Sequence, residues 1–121
     1  ILTNLREGRL PPIKTPYDSN DYIFINDVVD AFTGAVFGDF ISGIYNLGSG
    51  KSSSVLEICS LSEQIVLGSN TLTNNLQKNL EPDSEHLNFW ADISKTTKVL
   101  GWAPKITLEN VIKKTWQYIN S

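Results

Sequence analysis

The chain has 121 residues, of which 40% are hydrophobic and 19% charged, and its formal net charge is −3. These values are typical of a globular protein, so we expect residues 1–121 to form a single domain. Its only arginines are Arg6 and Arg9, which argues against a nucleic-acid-binding surface, because such a surface needs clustered positive charge.

Hydrophobic spacing and capping residues predict five helices. In chain order, they cover residues 1–7, 27 to about 34–38, 55–66, 93–100 and 108–119. Gly8 and Gly101 are the expected stops of the first and fourth helices. The residues expected to cap the other helix starts are Asn26, Ser54, Asp92 and Thr107. Glu57 completes a capping box with Ser54.

Short apolar runs predict strands between these helices, at residues 22–25, 43–47 and 85–90. Two prolines keep residues 10–13 extended, and residues 68–78 are rich in Ser, Asn and Thr, which predicts a loop or a flexible hairpin. Strands that alternate with helices indicate an α/β fold, here an α+β-like small lobe with some parallel pairing.

Two features predict which side chains lie in the core. Cys59 falls on the apolar face of the third helix, so we expect a core residue rather than a reactive thiol. The second helix has a helical repeat of apolar residues, and we expect these to be buried. They are Val28, Val29, Phe32, Ala35 and Val36.

The segment Gly48–Ser52 has the sequence GSGKS and lies between a predicted strand and a predicted helix, where phosphate-binding loops occur. A P-loop needs glycine where Tyr45 stands. A dinucleotide-binding fingerprint needs Gly or Ala in place of Ser53 and an acidic residue about 20 positions later, and residues 69–79 contain none. We therefore interpret the segment as a tight turn, with a phosphate-binding module as a distant alternative.

Catalytic and metal-binding patterns are missing from the sequence. No Tyr-x-x-x-Lys pair is present, since the residues four positions after Tyr17, Tyr22 and Tyr45 are not lysines. Asp83, Glu85 and His86 are close together, but His86 is the only histidine and Cys59 the only cysteine, so no metal site is predicted. We expect His86 to be a surface or structural residue, and we assign no catalytic residue and no metal ligand.

The cellular setting is predicted from three observations. Residues 1–10 have no continuous apolar core and so do not predict a signal peptide, and the single cysteine fits a reducing compartment. The longest apolar region, residues 28–47, contains Asp30 and Asp39 and does not predict a membrane span. We expect a cytoplasmic protein with small-molecule or protein partners. The start at Ile1 and the lack of methionine lead us to expect a piece of a longer protein.

Three tracts together resemble the C-terminal part of the extended short-chain dehydrogenase/reductases, the NAD-dependent nucleotide-sugar epimerases and dehydratases. They are DYIFINDVVDA at residues 21–31, GIYNLGSG at residues 43–50, and ADISK with LGWAPK at residues 91–105. Order and spacing agree with the family from about residue 8 to the end of the chain.

The resemblance implies a division of labour. In such enzymes the N-terminal Rossmann portion carries the glycine-rich NAD loop and the catalytic Tyr-x-x-x-Lys, and neither is in this sequence. The resemblance therefore implies a substrate-binding lobe that holds no cofactor itself and is inactive alone, with NAD(P) bound by the rest of the parent enzyme. Whether the chain counts as an enzyme stays open.

Three residues are expected to face the ligand because of this resemblance. The segment Pro12–Ile13 resembles the one that lies against the nucleotide base, and Asn20 stands where the family has an arginine that pairs with the diphosphate. A second expected basic residue has Glu81 near its place. Nucleotide-sugar binding is therefore expected to be weak or lost, unless another basic residue compensates. The candidates are Arg9, Lys14 and Lys51.

The resemblance also leaves a second class of function open, a stand-alone binding or self-association module derived from the same lobe. In the parent fold, residues 45–47 would form an edge strand of the Rossmann sheet. An edge that has lost its neighbour tends to find another partner. We therefore expect self-association or pairing with a missing Rossmann portion.

Overall fold

The computed structural model describes residues 1–39, 41–81 and 85–121. Within these ranges, the helices are α1 (Leu2–Arg6), α2 (Ile25–Phe37), α3 (Val55–Leu67), α4 (Thr71–Lys78), α5 (Ser94–Leu100) and α6 (Leu108–Ile119). Two short strands, β1 (Ser19–Asn20) and β2 (Ser53–Ser54), pair antiparallel, and Ser19 forms one parallel bridge with Asn88. The predicted α/β class is confirmed, with helices as its larger part.

Helix α3 is the centre of the packing, because α1, α4 and α6 all lie against it. Leu5 of α1, Cys59 of α3 and Ile112 of α6 are buried. The predicted core position of Cys59 is therefore confirmed, and burial raises the pKa of its thiol. A buried thiol that stays protonated is inert, so Cys59 has a packing role.

Most predicted helix ends are confirmed by the local geometry. The hydroxyl of Ser54 accepts a hydrogen bond from the N–H of Glu57 at 3.1 Å, and that of Thr107 accepts one from Asn110 at 3.4 Å. Helix α5 ends at Gly101, whose φ of +63° is the left-handed conformation that favours glycine. The cap predicted at Asp92 is one residue early: Ile93 holds the N-cap position, while the Asp92 carboxylate accepts a hydrogen bond from the N–H of Ser94.

Two of the predicted strands are wrong. Residues 22–25 form no strand, and α2 begins at Ile25 rather than after Asn26, because side-chain hydrogen bonds of Asp21 hold this part of the chain. Residues 43–47 also form no strand. The carbonyl of Ile44 accepts a hydrogen bond from Lys95 Nζ at 2.9 Å, so a side chain replaces the neighbouring strand that a ladder would need.

The strand predicted at residues 85–90 is reduced to one bridge. Ser19 donates its N–H to the carbonyl of Leu87 and accepts from the N–H of Phe89, at 2.8 and 3.0 Å. The pairing goes no further because β1 is only two residues long. His86 is exposed, as predicted.

The loop predicted at residues 68–78 is wrong, since α4 occupies most of it. The buried carboxylate of Glu63, on α3, accepts hydrogen bonds from the N–H groups of Leu72 and Thr73 and from the hydroxyls of Ser69 and Thr73, at 2.7–3.2 Å. These bonds satisfy N–H groups in the first turn of α4, which have no partner within the helix. The negative charge of Glu63, on α3, therefore stabilises α4, although the sequence of α4 is mostly polar.

The buried face predicted for α2 is wrong at four of its five residues. Val29, Phe32 and Val36 are mostly exposed, and Ala35 is exposed as well, while Val28 is half-buried. The residues of α2 that are buried instead are Asp27 and Ala31. The reason is the position of Asp27, whose hydrogen bonds to the C-terminal tract turn the polar side of the helix inward.

Three further observations concern the described ranges. None of their helices is long and apolar enough to cross a bilayer. No group of three or more His, Cys, Asp or Glu side chains there is placed to hold a metal ion, and Asp83 lies outside the described residues. The single-domain boundary and the cytoplasmic location stay predictions.

Candidate functional site

The carboxylate of Asp21 connects the three sequence tracts that resemble the extended short-chain dehydrogenase/reductases. Its Oδ1 atom accepts a hydrogen bond from the N–H of Ser49 at 2.7 Å, and its Oδ2 atom accepts from Gly50 at 3.0 Å and from Ala91 at 3.1 Å. Asp21 begins the first tract, Ser49 and Gly50 end the second, and Ala91 begins the third. One side chain thus fixes the positions of all three.

The turn at Gly48–Ser52 is built around this carboxylate. A Cβ atom on Gly48 would lie 2.6 Å from the Cβ of Ala91 and 2.6 Å from Oδ2 of Asp21, so only glycine fits there. Gly50 has a φ of +74°, which also favours glycine. The turn predicted from the sequence is confirmed, and two of the N–H groups that could cradle a phosphate already bind Asp21.

The charge state of Asp21 follows from two opposing effects. Partial burial raises the pKa of its carboxyl group, while the hydrogen bonds from Ser49, Ala91 and Gly50 lower it, and the net result is a pKa below the ordinary value. Asp21 therefore carries its negative charge at neutral pH and accepts all three backbone bonds as a carboxylate.

A second acid, the buried Asp27, joins α2 to the third tract. Its side-chain Oδ2 accepts a hydrogen bond from the N–H of Ile106 at 3.1 Å, and its backbone carbonyl accepts one from the indole N–H of Trp102 at 2.9 Å. Only 2% of Asp27 is exposed. The rotation of α2 about its own axis is consequently fixed relative to the C-terminal tract.

The second and third tracts are also bonded directly to each other. Asn46 donates from its amide group to the carbonyl of Asp92 at 3.2 Å, and its own carbonyl accepts from the hydroxyl of the buried Thr96 at 2.5 Å. The tracts therefore form one hydrogen-bonded unit. Most of their polar residues have structural roles in it.

Pro12, Ile13 and Asn20 are the residues predicted to face a ligand. Pro12 and Asn20 are exposed and Ile13 is half-buried, and no hydrogen bond between described residues joins Asn20 to either of the other two. Asn20 lies in β1, where it pairs with Ser53, next to Asp21. Its backbone is thereby held by both the strand pair and the Asp21 junction, and its role as a ligand contact stays a prediction.

Of the three basic residues that could replace the missing arginine, Lys14 is exposed, and the structure distinguishes the other two. Arg9 is engaged in an ion pair with Glu7 at 2.7 Å. Lys51 lines a cavity of about 500 Å³ together with Ser53, the partner of Asn20 in the strand pair, and no ion pair of Lys51 occurs among the described residues. Lys51 is therefore better placed than Arg9 to bind an anion beside Asn20.

Sequence reasoning missed two aromatic side chains beside the Asp21 junction. Phe89 and Trp90 line a cleft of about 380 Å³ that also includes Asp21, Ile23 and Leu47. Both rings are more than half exposed, which is unusual for large aromatic residues and suits stacking on a flat or apolar ligand face. The signal available in the sequence was the aromatic pair directly before the third tract.

No family model matches the chain, but individual relatives do. A UDP-glucose 4-epimerase of Erwinia amylovora is 31% identical over 103 residues, which are 81% of this chain and 29% of the relative. A dTDP-glucose 4,6-dehydratase of Shigella flexneri is 26% identical over 128 residues, covering 100% of this chain and 36% of the relative. The chain spans about a third of the length of these relatives, and it aligns with their C-terminal part.

Solved structures show the same fold. The Bordetella bronchiseptica enzyme WbmF, determined in complex with NAD+ and UDP, superimposes with a TM-score of 0.77 over 98% of this chain and 34% of that one. The two are 19% identical, so this likeness shows the fold alone.

Proposed function

We propose that this chain is the nucleotide-sugar-binding portion of an NAD-dependent epimerase or dehydratase. It matches the C-terminal part of the extended short-chain dehydrogenase/reductases, as its three tracts predicted. In this role it positions the nucleotide end of the substrate, while hydride transfer takes place on residues that it does not contain.

The observation that carries the proposal is the Asp21 junction. Its three hydrogen bonds bring together the tracts on which the resemblance rests. Asn20 directly precedes Asp21, and Asp21 itself lines the cleft of Phe89 and Trp90. We propose that the cleft receives an apolar face of the sugar or base, and that Asn20 and Lys51 lie towards the diphosphate.

The described residues do not fit NAD. A dinucleotide pyrophosphate is held by free backbone N–H groups of a glycine-rich turn, but in the turn of this chain those of Ser49 and Gly50 bind Asp21. We therefore propose that NAD is bound outside this chain and that the chain alone is inactive. The sequence also lacks the Tyr-x-x-x-Lys motif, which in the resembled family exchanges a proton with a sugar hydroxyl.

Amide chemical shifts of the isotopically labelled chain provide the test. UDP, UDP-glucose and dTDP-glucose should shift residues 12–13, 19–20 and 89–90, with dissociation constants in the millimolar range, as expected where a charged hydrogen bond is missing. ATP should cause no larger effect at residues 48–52. A response confined to the GSGKS turn would favour a phosphate-binding module instead.

An activity assay tests the second half of the proposal. The purified chain is incubated with NAD and each nucleotide sugar, and the sugar products and NADH are measured. We expect no turnover above a protein-free control. Measurable turnover by the chain alone would contradict the proposed division of labour.

A further inference from the structure

Burial contributes little to the placement of residues 87–91, the aromatic segment, which carries the two rings of the cleft. Leu87, Phe89 and Trp90 are 72, 64 and 52% exposed, and Asn88 is exposed as well. Side chains that keep half or more of their surface in water gain little from the hydrophobic effect. Hydrogen bonds of the backbone therefore determine where the two rings lie.

Two carboxylates hold the ends of the aromatic segment. The N–H of Leu87 donates to Oδ1 of Asp18 at 2.9 Å, and the N–H of Ala91 donates to Oδ2 of Asp21 at 3.1 Å. Between these two points, the backbone of Ser19 forms the parallel bridge to the segment. The segment is thus fixed at its start, in its middle and at its end.

The two acids differ in what else they hold. Asp21 also accepts hydrogen bonds from Ser49 and Gly50, so its substitution would disturb the whole junction. Among the described residues, Leu87 is the one hydrogen-bond partner of the Asp18 side chain. The contribution of Asp18 to the aromatic segment can therefore be separated from the stability of the fold.

The backbone of Asp18 is itself attached to α3. Its carbonyl accepts a hydrogen bond from the N–H of Val55 at 3.0 Å, and the carbonyl of Pro16 accepts one from Leu56 at 2.9 Å. These N–H groups belong to the first turn of the helix and have no partner within it. Because α3 is the centre of the packing, the Asp18 side chain starts from a fixed position.

We infer that Asp18 is a positioning residue of the ligand site, which acts through Leu87 to hold Phe89 and Trp90 in place for a nucleotide sugar. This inference rests on the proposed function, in which the cleft of these two rings receives an apolar face of the sugar or base. Rings that are already in place lose less conformational freedom when a ligand binds, so the bond increases affinity.

The test compares Asp18→Ala with Asp18→Asn, because the two variants have the same net charge. Asparagine keeps a side-chain oxygen that accepts from the N–H of Leu87, and alanine has none. Titrations with UDP-glucose, followed by amide chemical shifts, measure the affinity. Asp18→Ala should raise the dissociation constant about three- to tenfold relative to Asp18→Asn, as expected for the loss of one hydrogen bond. Equal constants would overturn the inference.

A measurement without ligand tests whether this bond holds the aromatic segment. The exchange of individual N–H groups with water is followed by NMR. At Leu87 and Phe89, exchange should be about fivefold faster or more in Asp18→Ala than in Asp18→Asn, while Ala91, which Asp21 holds, should change less than about twofold. Equal exchange at Leu87 in the two variants would mean that the inference is wrong.

Melting temperatures distinguish positioning from support of the fold. The bond between Asp18 and Leu87 lies at the surface, so the two variants should melt within about 2 °C of each other. If Asp18→Ala melts about 5 °C or more below Asp18→Asn, or alone fails to fold, Asp18 supports the fold and the inference is overturned. Asp39→Ala removes the same charge at another exposed position, and it should match the wild type in all three measurements.

The binding data separate this inference from the proposed function. Binding of UDP-glucose by the wild type, with equal constants for the two Asp18 variants, would contradict the inference alone. A wild-type chain that binds no nucleotide sugar would contradict the proposed function and, with it, the inference.

Discussion

The carboxylate of Asp21 lies 2.7 Å from the backbone nitrogen of Ser49, 28 residues away in sequence. The same carboxylate binds Gly50 and Ala91. A short acidic side chain therefore occupies the place that a phosphate takes in nucleotide-binding turns. The glycine-rich turn resembles a phosphate-binding loop in sequence, but its N–H groups bind Asp21 and so connect two segments of the same chain.

Asp21→Asn should destabilise the chain by about 1.5–3 kcal/mol or more, the range for losing one hydrogen bond to a charged group. An amide can replace only one of the two carboxylate oxygens as an acceptor. Its NH₂ group would face either Ser49 alone or both Gly50 and Ala91, all of which are donors. Chemical denaturation measures the change. Asp39→Asn, at an exposed position, is the control and should alter the free energy of unfolding by less than about 0.5 kcal/mol.

Gly48→Ala should be among the most destabilising small substitutions in the chain. The added methyl group would lie 2.6 Å from the Cβ of Ala91 and from Oδ2 of Asp21, so one of the joined segments has to move. We expect a loss of about 1–3 kcal/mol, as for overpacking of a filled site. Gly43→Ala is the matched control, because its new methyl group would meet only side-chain atoms at 3.5 Å or more. Equal melting temperatures for the two variants would contradict this account.

Local signals in the sequence predicted the helices well and the strands poorly. Caps such as Ser54 and Thr107 act within three residues, so the sequence alone locates them. A strand depends on a neighbour, and the apolar run at residues 43–47 has none among the described residues. The apolar pattern at residues 43–47 is typical of a strand, but the described residues contain no strand that pairs with it.

The exposed face of α2 and the helix α4 could not be predicted for a different reason. Each depends on a buried acid whose bonding partner lies beyond the range of local hydrophobic spacing. Asp27 turns α2 by bonding to Ile106, 79 residues away, and Glu63 stabilises the start of α4 by accepting from Thr73. Local hydrophobic spacing contains no information about such bonds. The resemblance to a family identified Asn20 as a candidate site residue, but the aromatic cleft of Phe89 and Trp90 became visible only in the folded chain.

The stability of the chain should decrease as the pH falls through about 4. Burial raises the pKa of Glu63, but hydrogen bonds from Leu72, Thr73 and Ser69 outweigh it, so the pKa in the folded state lies below the ordinary value. The same holds for Asp21. Unfolded carboxyl groups titrate near pH 4, and a group with a lower folded pKa contributes stability above that pH and loses it as the pH falls through its folded value.

Glu63→Gln tests this pH dependence directly. The variant should be less stable than the wild type at pH 7, and the difference between the two should become smaller from pH 5 to pH 3. Denaturation curves at several pH values measure it. The exposed Glu81 provides the control, and Glu81→Gln should leave the pH profile of the wild type unchanged. A difference that grows towards low pH would contradict the assignment.

Asn20→Arg should strengthen nucleotide-sugar binding by about tenfold or more. Arginine restores a charged fork at the position where the family carries one, and a hydrogen bond between charged groups contributes about 1.5–3 kcal/mol. The backbone of Asn20 is already held by the pairing with Ser53, so the new side chain starts from a fixed position. Titration calorimetry with UDP-glucose measures the gain, and uridine, which lacks the diphosphate, should show none. Asn75→Arg adds the same charge at an exposed position on α4 and should bind like the wild type. If both variants tighten binding equally, the gain comes from net charge, and Asn20 is not a ligand-facing residue.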